Sequence, residues 1–258
     1  MIHIKSPQEI AIMRKGGKIL SDVLFEVLSH AKPGVTELEL DNLAEKLIRE
    51  KGGEPGFMKV EGYKHTICVS TNDVVVHGIP TTYTLKEGDV LGIDCGVYLD
   101  EFHTDMSETR RVSNSKSHDT NLKDTVDLFL DTGKQALELA IEQVKPGNHI
   151  GNISRTIQMI VEGAGYSVVR ELIGHGVGRD LHEDPEVPGV LSQKIEKTPL
   201  LKPGMVIAVE IIYNMGEKGV MHIGGDDDWT IKTQDGSLSG LFERTIAITN
   251  TGHEILTP

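Results

Sequence analysis

Apolar positions at the start of the chain recur at helical spacing, then give way to short β-type runs. Ser6-Pro7-Gln8-Glu9 has the form of a capping box with proline at the first helical position, opening a helix that runs to about His30. Thr36 through Lys51 reads as a second helix, with Leu38, Leu40, Leu43, Leu47 and Ile48 on its apolar side and Gly52-Gly53 ending it. β-type runs follow at Thr66 to Ser70, Val74 to His77, Val90 to Tyr98 and Phe102 to Val112. Helical spacing returns over about Asp119 to Val144 and His149 to Ala164. The last runs are again β-type: Ser167 to Glu171, Met205 to Tyr213, Gly219 to Ile223, Trp229 to Lys232 and Phe242 to Thr249.

Two helices and then strands thus occur twice. Ala31-Lys32-Pro33-Gly34 is answered by Val144-Lys145-Pro146-Gly147, 113 positions later. Leu85-Lys86-Glu87-Gly88-Asp89-Val90 is answered by Leu201-Lys202-Pro203-Gly204-Met205-Val206, 116 positions later. Lys-Pro-Gly turns are common, so chance recurrence is the competing explanation. A true repeat predicts one catalytic domain over 1–258 made of two α+β halves, approximately 1–115 and 116–258, related by a pseudo-twofold axis. Their strands would join in one curved, mostly antiparallel sheet with helices on the outer face and a cleft inside.

Composition narrows the function classes. A net charge of -13 lacks the basic footprint of a nucleic-acid-binding surface. Cys68 and Cys95 have neither zinc-type spacing nor a disulfide framework. The N-terminal stretch is charged and helix-patterned rather than an apolar signal sequence, and no run approaches a membrane span. The expected compartment is the cytoplasm.

The chemistry lies in carboxylates placed in apolar strands. Val90-Leu91-Gly92-Ile93-Asp94 and Val206-Ile207-Ala208-Val209-Glu210 each follow the second turn of their half, and Asp94 and Glu210 share the 116-residue offset. An ionised carboxylate there is costly unless a basic partner or a cation neutralises it. A hairpin turning at Leu99-Asp100-Glu101 would set Asp105 nearly opposite Asp94 on one face. Glu243 enters a further apolar strand, where Arg244 and solvent would also account for it. Residues 174–188, GHGVGRDLHEDPEVP, are too polar and glycine-rich to read as core, and they offer His175 and His182. Asp94, Asp105, His175, Glu210 and Glu243 make a set of four carboxylates and one imidazole. That set suits a pair of hard-to-borderline divalent ions rather than a thiolate zinc site, and two such ions favour hydrolytic chemistry.

At these residues the chain resembles the methionine aminopeptidases, which are pita-bread metallopeptidases, and most closely their short bacterial-type (type I) form. The likeness spans nearly the whole chain. It is carried by CVSTNDVVVHGIP (68–80), GIDCGVYLDEFHTDMSETR (92–110), VVRELIGHGVGRDLHEDPEVP (168–188) and WTIKTQDGSLSGLFERTIAIT (229–249), with ligand order Asp, Asp, His, Glu, Glu.

The resemblance implies removal of the N-terminal methionine from nascent proteins and peptides, with a small second residue favoured. It implies two divalent cations (cobalt, manganese, iron or zinc) on Asp94, Asp105, His175, Glu210 and Glu243, and attack on the first peptide carbonyl by a hydroxide held there. Glu210 would be the general base, His182 would stabilise the oxyanion, and His77 would lie near the substrate. Tyr63, Cys68, His77 and Trp229 match the family's methionine-pocket positions, rings and a soft thiol suiting a thioether. For Tyr63 and Cys68 an ordinary core role stays open. Nascent polypeptide N-termini are the implied partners, a transient ribosome contact rests on family analogy alone, and a monomer is expected.

Three positions depart from the family's habit: Ile211 where proline usually follows the base glutamate, Arg244 where histidine usually follows the last ligand, and Gly96 where threonine is common. They leave the ligands in place and put their surroundings and metal preference in question. Asp226-Asp227-Asp228 reads as a solvated loop. One rival is an Xaa-Pro aminopeptidase of the same fold, which usually has a further N-terminal domain and a histidine where this chain has Val169-Arg170-Glu171-Leu172. The other is a metal-free pita-bread binding protein, which would not need five ligands.

Overall fold

The computed structural model describes residues 1–113, 124–225 and 227–258. Its first half opens with α1 (Pro7–His30), where Ser6 accepts from the Glu9 amide and Glu9 accepts from that of Ser6. Thr36 and Glu39 cap α2 (Glu37–Glu50) in the same way. Strands β1 (Glu54–Pro55), β2 (Ile67–Thr71), β3 (Val74–Val76), β4 (Val90–Leu99) and β5 (Phe102–Arg111) follow.

The second half repeats the order. Helix α3 (Thr125–Ile141) starts at Asp124, whose carboxylate accepts from the Val126 and Asp127 amides. The earlier part of the helix predicted from Asp119 lies outside the described residues. Next come α4 (Ile150–Gly163), β6 (Ser167–Val168), β7 (Gly174–Gly176), β8 (Glu183–Val187) and β9 (Val206–Asn214). Strands β10 (Val220–Gly224), β11 (Asp227–Thr233), β12 (Ser239–Ile248) and β13 (His253–Ile255) complete the chain. Both Lys-Pro-Gly turns make the same contact: Gly34 donates to the Leu85 carbonyl at 2.9 Å and Gly147 to that of Leu201 at 3.3 Å. Bridges Thr36–Thr84 and His149–Leu200 stand at matching places.

Among the described residues ten strands form one sheet, ordered β1-β4-β5-β12-β9-β7-β8, with β2 on β4, β6 on β9 and β13 on β12. Strands β10, β11 and β3 form a smaller one. All of these pairings are antiparallel. Side chains alternate across the large sheet. Ile93 and Cys95 on β4 join Leu20, Leu24, Leu40 and Ile48 of α1 and α2 in one core. Val209 and Ile211 on β9 join Phe129, Ile153 and Ile157 of α3 and α4 in another. Burial of these apolar faces fixes Asp94 and Glu210 toward the opposite face. Among the described residues no helix is long and apolar enough to cross a membrane.

The halves meet where β5 runs beside β12. Only Glu243–Ser107 and Arg244–Met106 pair there among the described residues, and two threonine hydroxyls extend the contact. Thr245 Oγ1 accepts from the Asp105 amide at 2.9 Å and donates to its carbonyl at 2.7 Å. Thr109 Oγ1 does the same for Leu241, at 2.9 and 2.6 Å.

Four short strands, β1, β7, β8 and β13, escape the hydrophobic pattern, and the run predicted over Ser167 to Glu171 contracts to β6. The polar stretch from Gly174 is part of the sheet rather than a surface loop: Gly174, His175 and Gly176 are buried.

Candidate metal centre

The hairpin between β4 and β5 sets the register. Asp100 and Glu101 both adopt positive φ, 46° and 71°, a two-residue turn whose twist suits antiparallel strands. Leu99 therefore pairs with Phe102, Asp94 with Ser107 and Asp105 with Gly96. The register expected from the sequence, which set Asp105 nearly opposite Asp94, is off by two residues. A two-residue shift preserves the face, so the aspartates are diagonal neighbours on neighbouring strands.

Cys68, Asp94, Ser107, Glu243 and Glu210 then form one cross-strand row over β2, β4, β5, β12 and β9. His175 joins from β7, with Nε2 3.8 Å from Asp105 Oδ2 and 3.6 Å from Glu210 Oε1. Its Nδ1–H donates to the Gly176 carbonyl at 2.8 Å, leaving the Nε2 lone pair toward the carboxylates. Ligand-capable atoms of Asp105, His175 and Glu243 all lie within 4.8 Å of one another.

Burial pushes Asp94 up to about 7. Asp105, Glu210 and Glu243 rise well above the carboxylate range, through burial first and then repulsion from their acidic neighbours. Burial holds His175 at about 4, so its imidazole is neutral. Among the described residues no lysine or arginine forms an ion pair with the four carboxylates, which removes the basic-partner explanation. Asp94 Oδ1 and Glu243 Oε1 are buried without a hydrogen-bond partner. Hard oxygens, two of them unsatisfied, and an imidazole with its lone pair turned inward fit divalent cations.

The row floors a cavity of about 180 Å³ whose lining includes Tyr63, Cys68, His77, His182 and Trp229, all singled out in the sequence. Tyr63 meets Trp229 edge-on with centroids 5.2 Å apart, and its hydroxyl donates to the Ile67 carbonyl at 2.8 Å. Asp227, read in the sequence as part of a solvated loop, instead begins β11 and accepts from the Trp229 and Thr230 amides at 2.9 and 2.8 Å; Asp226 lies outside the described residues. His77 sits in the left-handed region at φ 56°, a strain found at functional sites. Burial, helped by His182, lowers its pKa to about 4, and burial lowers that of His182. Phe57 and Leu181 belong to the apolar wall. Sequence reading missed both, because an apolar pocket residue looks like core.

The three departures have structural places. Ile211 is fully buried on the helical face, paired with Phe242. Arg244 donates to the carbonyls of Ser107 at 3.1 Å and Glu243 at 2.8 Å, and to Glu108 at 2.8 Å, bracing the seam from behind. Gly96 makes room for Phe57, since a Cβ there would lie 2.8 Å from the ring. Gly96→Thr is therefore expected to displace Phe57 and destabilise the fold by about 1–3 kcal/mol, measured by urea unfolding.

The model of metallopeptidase family M24 matches residues 11–250. Methionine aminopeptidase 1 of Bacillus subtilis (strain 168) is 43% identical over 257 residues, covering 100% of this chain and 99% of its own length. The methionine aminopeptidase of Escherichia coli (strain K12) is 38% identical over 260 residues, covering 99% and 94%. The crystal structure of methionine aminopeptidase from Thermotoga maritima superposes with a TM-score of 0.92 at 36% identity, covering 100% and 99%. A prolidase from Pyrococcus horikoshii OT3 shares the fold, with a TM-score of 0.76 at 23% identity over 99% of this chain and 63% of that one. Full-length identity at this level, joined to a buried acidic cluster of metal-binding character, places the chain in a family: it belongs to the methionine aminopeptidases of metallopeptidase family M24.

Proposed function

We propose that this chain is a metal-dependent aminopeptidase that releases the N-terminal methionine of nascent polypeptides whose second residue is small. Residues 1–258 act as a single catalytic unit of two halves. Asp94, Asp105, His175, Glu210 and Glu243 would hold two divalent cations. The observation that carries this reading is the cluster of carboxylates under the cleft, with buried unsatisfied oxygens on Asp94 and Glu243 and, among the described residues, no lysine or arginine paired with any of the four. When bound, the cations would supply Lewis acidity toward the first peptide carbonyl and lower the pKa of water.

The protein's own groups do the rest. Glu210, midway along β9 and lining the cavity, takes a proton from the attacking water and returns it to the leaving amine. His182, neutral at working pH, donates a hydrogen bond to the oxyanion that develops on the carbonyl. His77 faces the same cavity and holds the scissile peptide. The methionine side chain fits between Tyr63, Trp229, Phe57, Leu181 and Cys68, where rings and sulfur contact a thioether favourably.

The test is methionine release from Met-Ala-Ser compared with cleavage of an Xaa-Pro peptide, before and after a chelator. Expected are release from Met-Ala-Ser, loss on chelation by about 100-fold or more, and recovery with added divalent metal. Preference for the Xaa-Pro peptide, or turnover indifferent to chelation, contradicts the reading. Cleavage of neither substrate points to a binding protein.

A further inference from the structure

We propose that Lys5 is a positioning residue for His182, acting through Glu183; this rests on His182 being the oxyanion donor. The segment between β7 and β8 brings Leu181 and His182 to the cavity, while Glu183 turns away from it. Glu183 Oε2 accepts from Lys5 Nζ at 2.6 Å and Oε1 from the Asp180 amide at 3.3 Å. The two charged side chains are 4% and 5% exposed, so the pair is buried although its members are 178 positions apart.

The anchor on the Lys5 side is firm. Its amide donates to the Gly204 carbonyl at 2.7 Å, in the turn that feeds β9. At the other end of the segment, the His103 amide of β5 donates to the Gly178 carbonyl at 2.7 Å. The packing between is close. A Cβ on Gly178 would lie 2.5 Å from Glu183 Oε1 and 2.6 Å from Lys5 Cε. The His182 ring touches that of His175, centroids 4.4 Å apart, and no hydrogen bond to the ring is present among the described residues. Its aim is therefore set by the backbone that Glu183 holds. Neutralising Lys5 leaves Glu183 charged and buried. The carboxylate then moves toward water and carries the neighbouring backbone with it. A sub-ångström displacement of His182 weakens contacts made in the transition state more than those made to bound substrate.

The experiment uses the metal-loaded enzyme and the variants Lys5→Met, Glu183→Gln, His182→Ala and Lys5→Met/His182→Ala. It reads kcat and KM on Met-Ala-Ser, and metal binding by titration calorimetry. Lys5→Met and Glu183→Gln are each expected to lower kcat about tenfold or more, with KM and metal affinity unchanged. The double variant should lose no more than His182→Ala alone, because both changes act through one group. Wild-type kcat in Lys5→Met, or losses that multiply in the double variant, overturns the proposal. If Lys5→Met does not fold, Glu183→Gln and its combination with His182→Ala carry the same test. An inactive wild-type enzyme would instead sink the functional reading.

Discussion

Glu210→Gln is expected to lower kcat on Met-Ala-Ser by about 10³-fold or more, without recovery in excess metal. The substitution keeps the shape of the side chain and removes its basicity. Glu210 is the one carboxylate on β9, directly paired with Glu243 and 3.6 Å from His175 Nε2. As the proposed base it would serve both halves of the reaction, taking the water's proton and delivering it to the leaving amine. Glu243→Gln should behave differently. It also loses activity, but through weaker cation binding, so excess metal restores much of its turnover. Steady-state kinetics across a metal titration separate the two. Equal rescue of both variants would show that Glu210 is a ligand only.

Removing the cations is expected to make the fold sensitive to pH above about 6.5. In the metal-free protein, burial keeps Asp94 protonated to about 7 and Asp105, Glu210 and Glu243 to still higher pH. The same groups ionise near 4 in the unfolded chain. The folded state then binds more protons. Its stability, complete below the unfolded carboxylate value, falls by about 1.4 kcal/mol per pH unit for each proton retained.

The histidines pull the other way. His77, His103 and His175 are held to about 4 by burial. Their contribution is complete above the unfolded value of 6.5 and is lost as pH falls toward 4. The two trends offset each other between these limits, and only the carboxylates remain above them. Urea midpoints in the presence of a chelator should therefore drop between about pH 6.5 and 8. Adding a divalent cation at the upper end should restore them, because the cations then balance the ionised cluster. A flat profile in chelator would mean that the acidic row is not under the strain its burial implies.

Much of this architecture was legible because local chemistry agreed with tertiary placement. Ser6 and Glu9 mark the start of α1 without help from the rest of the chain. Asp94 and Glu210 stood out because a carboxylate inside an apolar strand needs a reason, and the equal offset gave both the same one. What escaped was geometry set by context. The turn at Asp100-Glu101 has no glycine to announce its left-handed backbone, so the register slipped by two. Strand β7 carries a polar histidine between glycines and becomes strand only by pairing with β8 and β9. Phe57 was hidden because an apolar ring beside a cleft and one in a core have the same sequence signature, although Gly96 across from it was already out of pattern.

A two-fold frame has no sense of direction, whereas a peptide runs from amino to carboxyl end. If both halves had kept identical residues, a substrate could lie in the cleft either way round. They have not: the first half sets a thiol, Cys68, beside its aspartate, and the second an imidazole, His175, beside its glutamate. The mismatch between the copies gives the cleft a polarity that its scaffold lacks, and with it a means by which one end of an incoming chain would be told from the other.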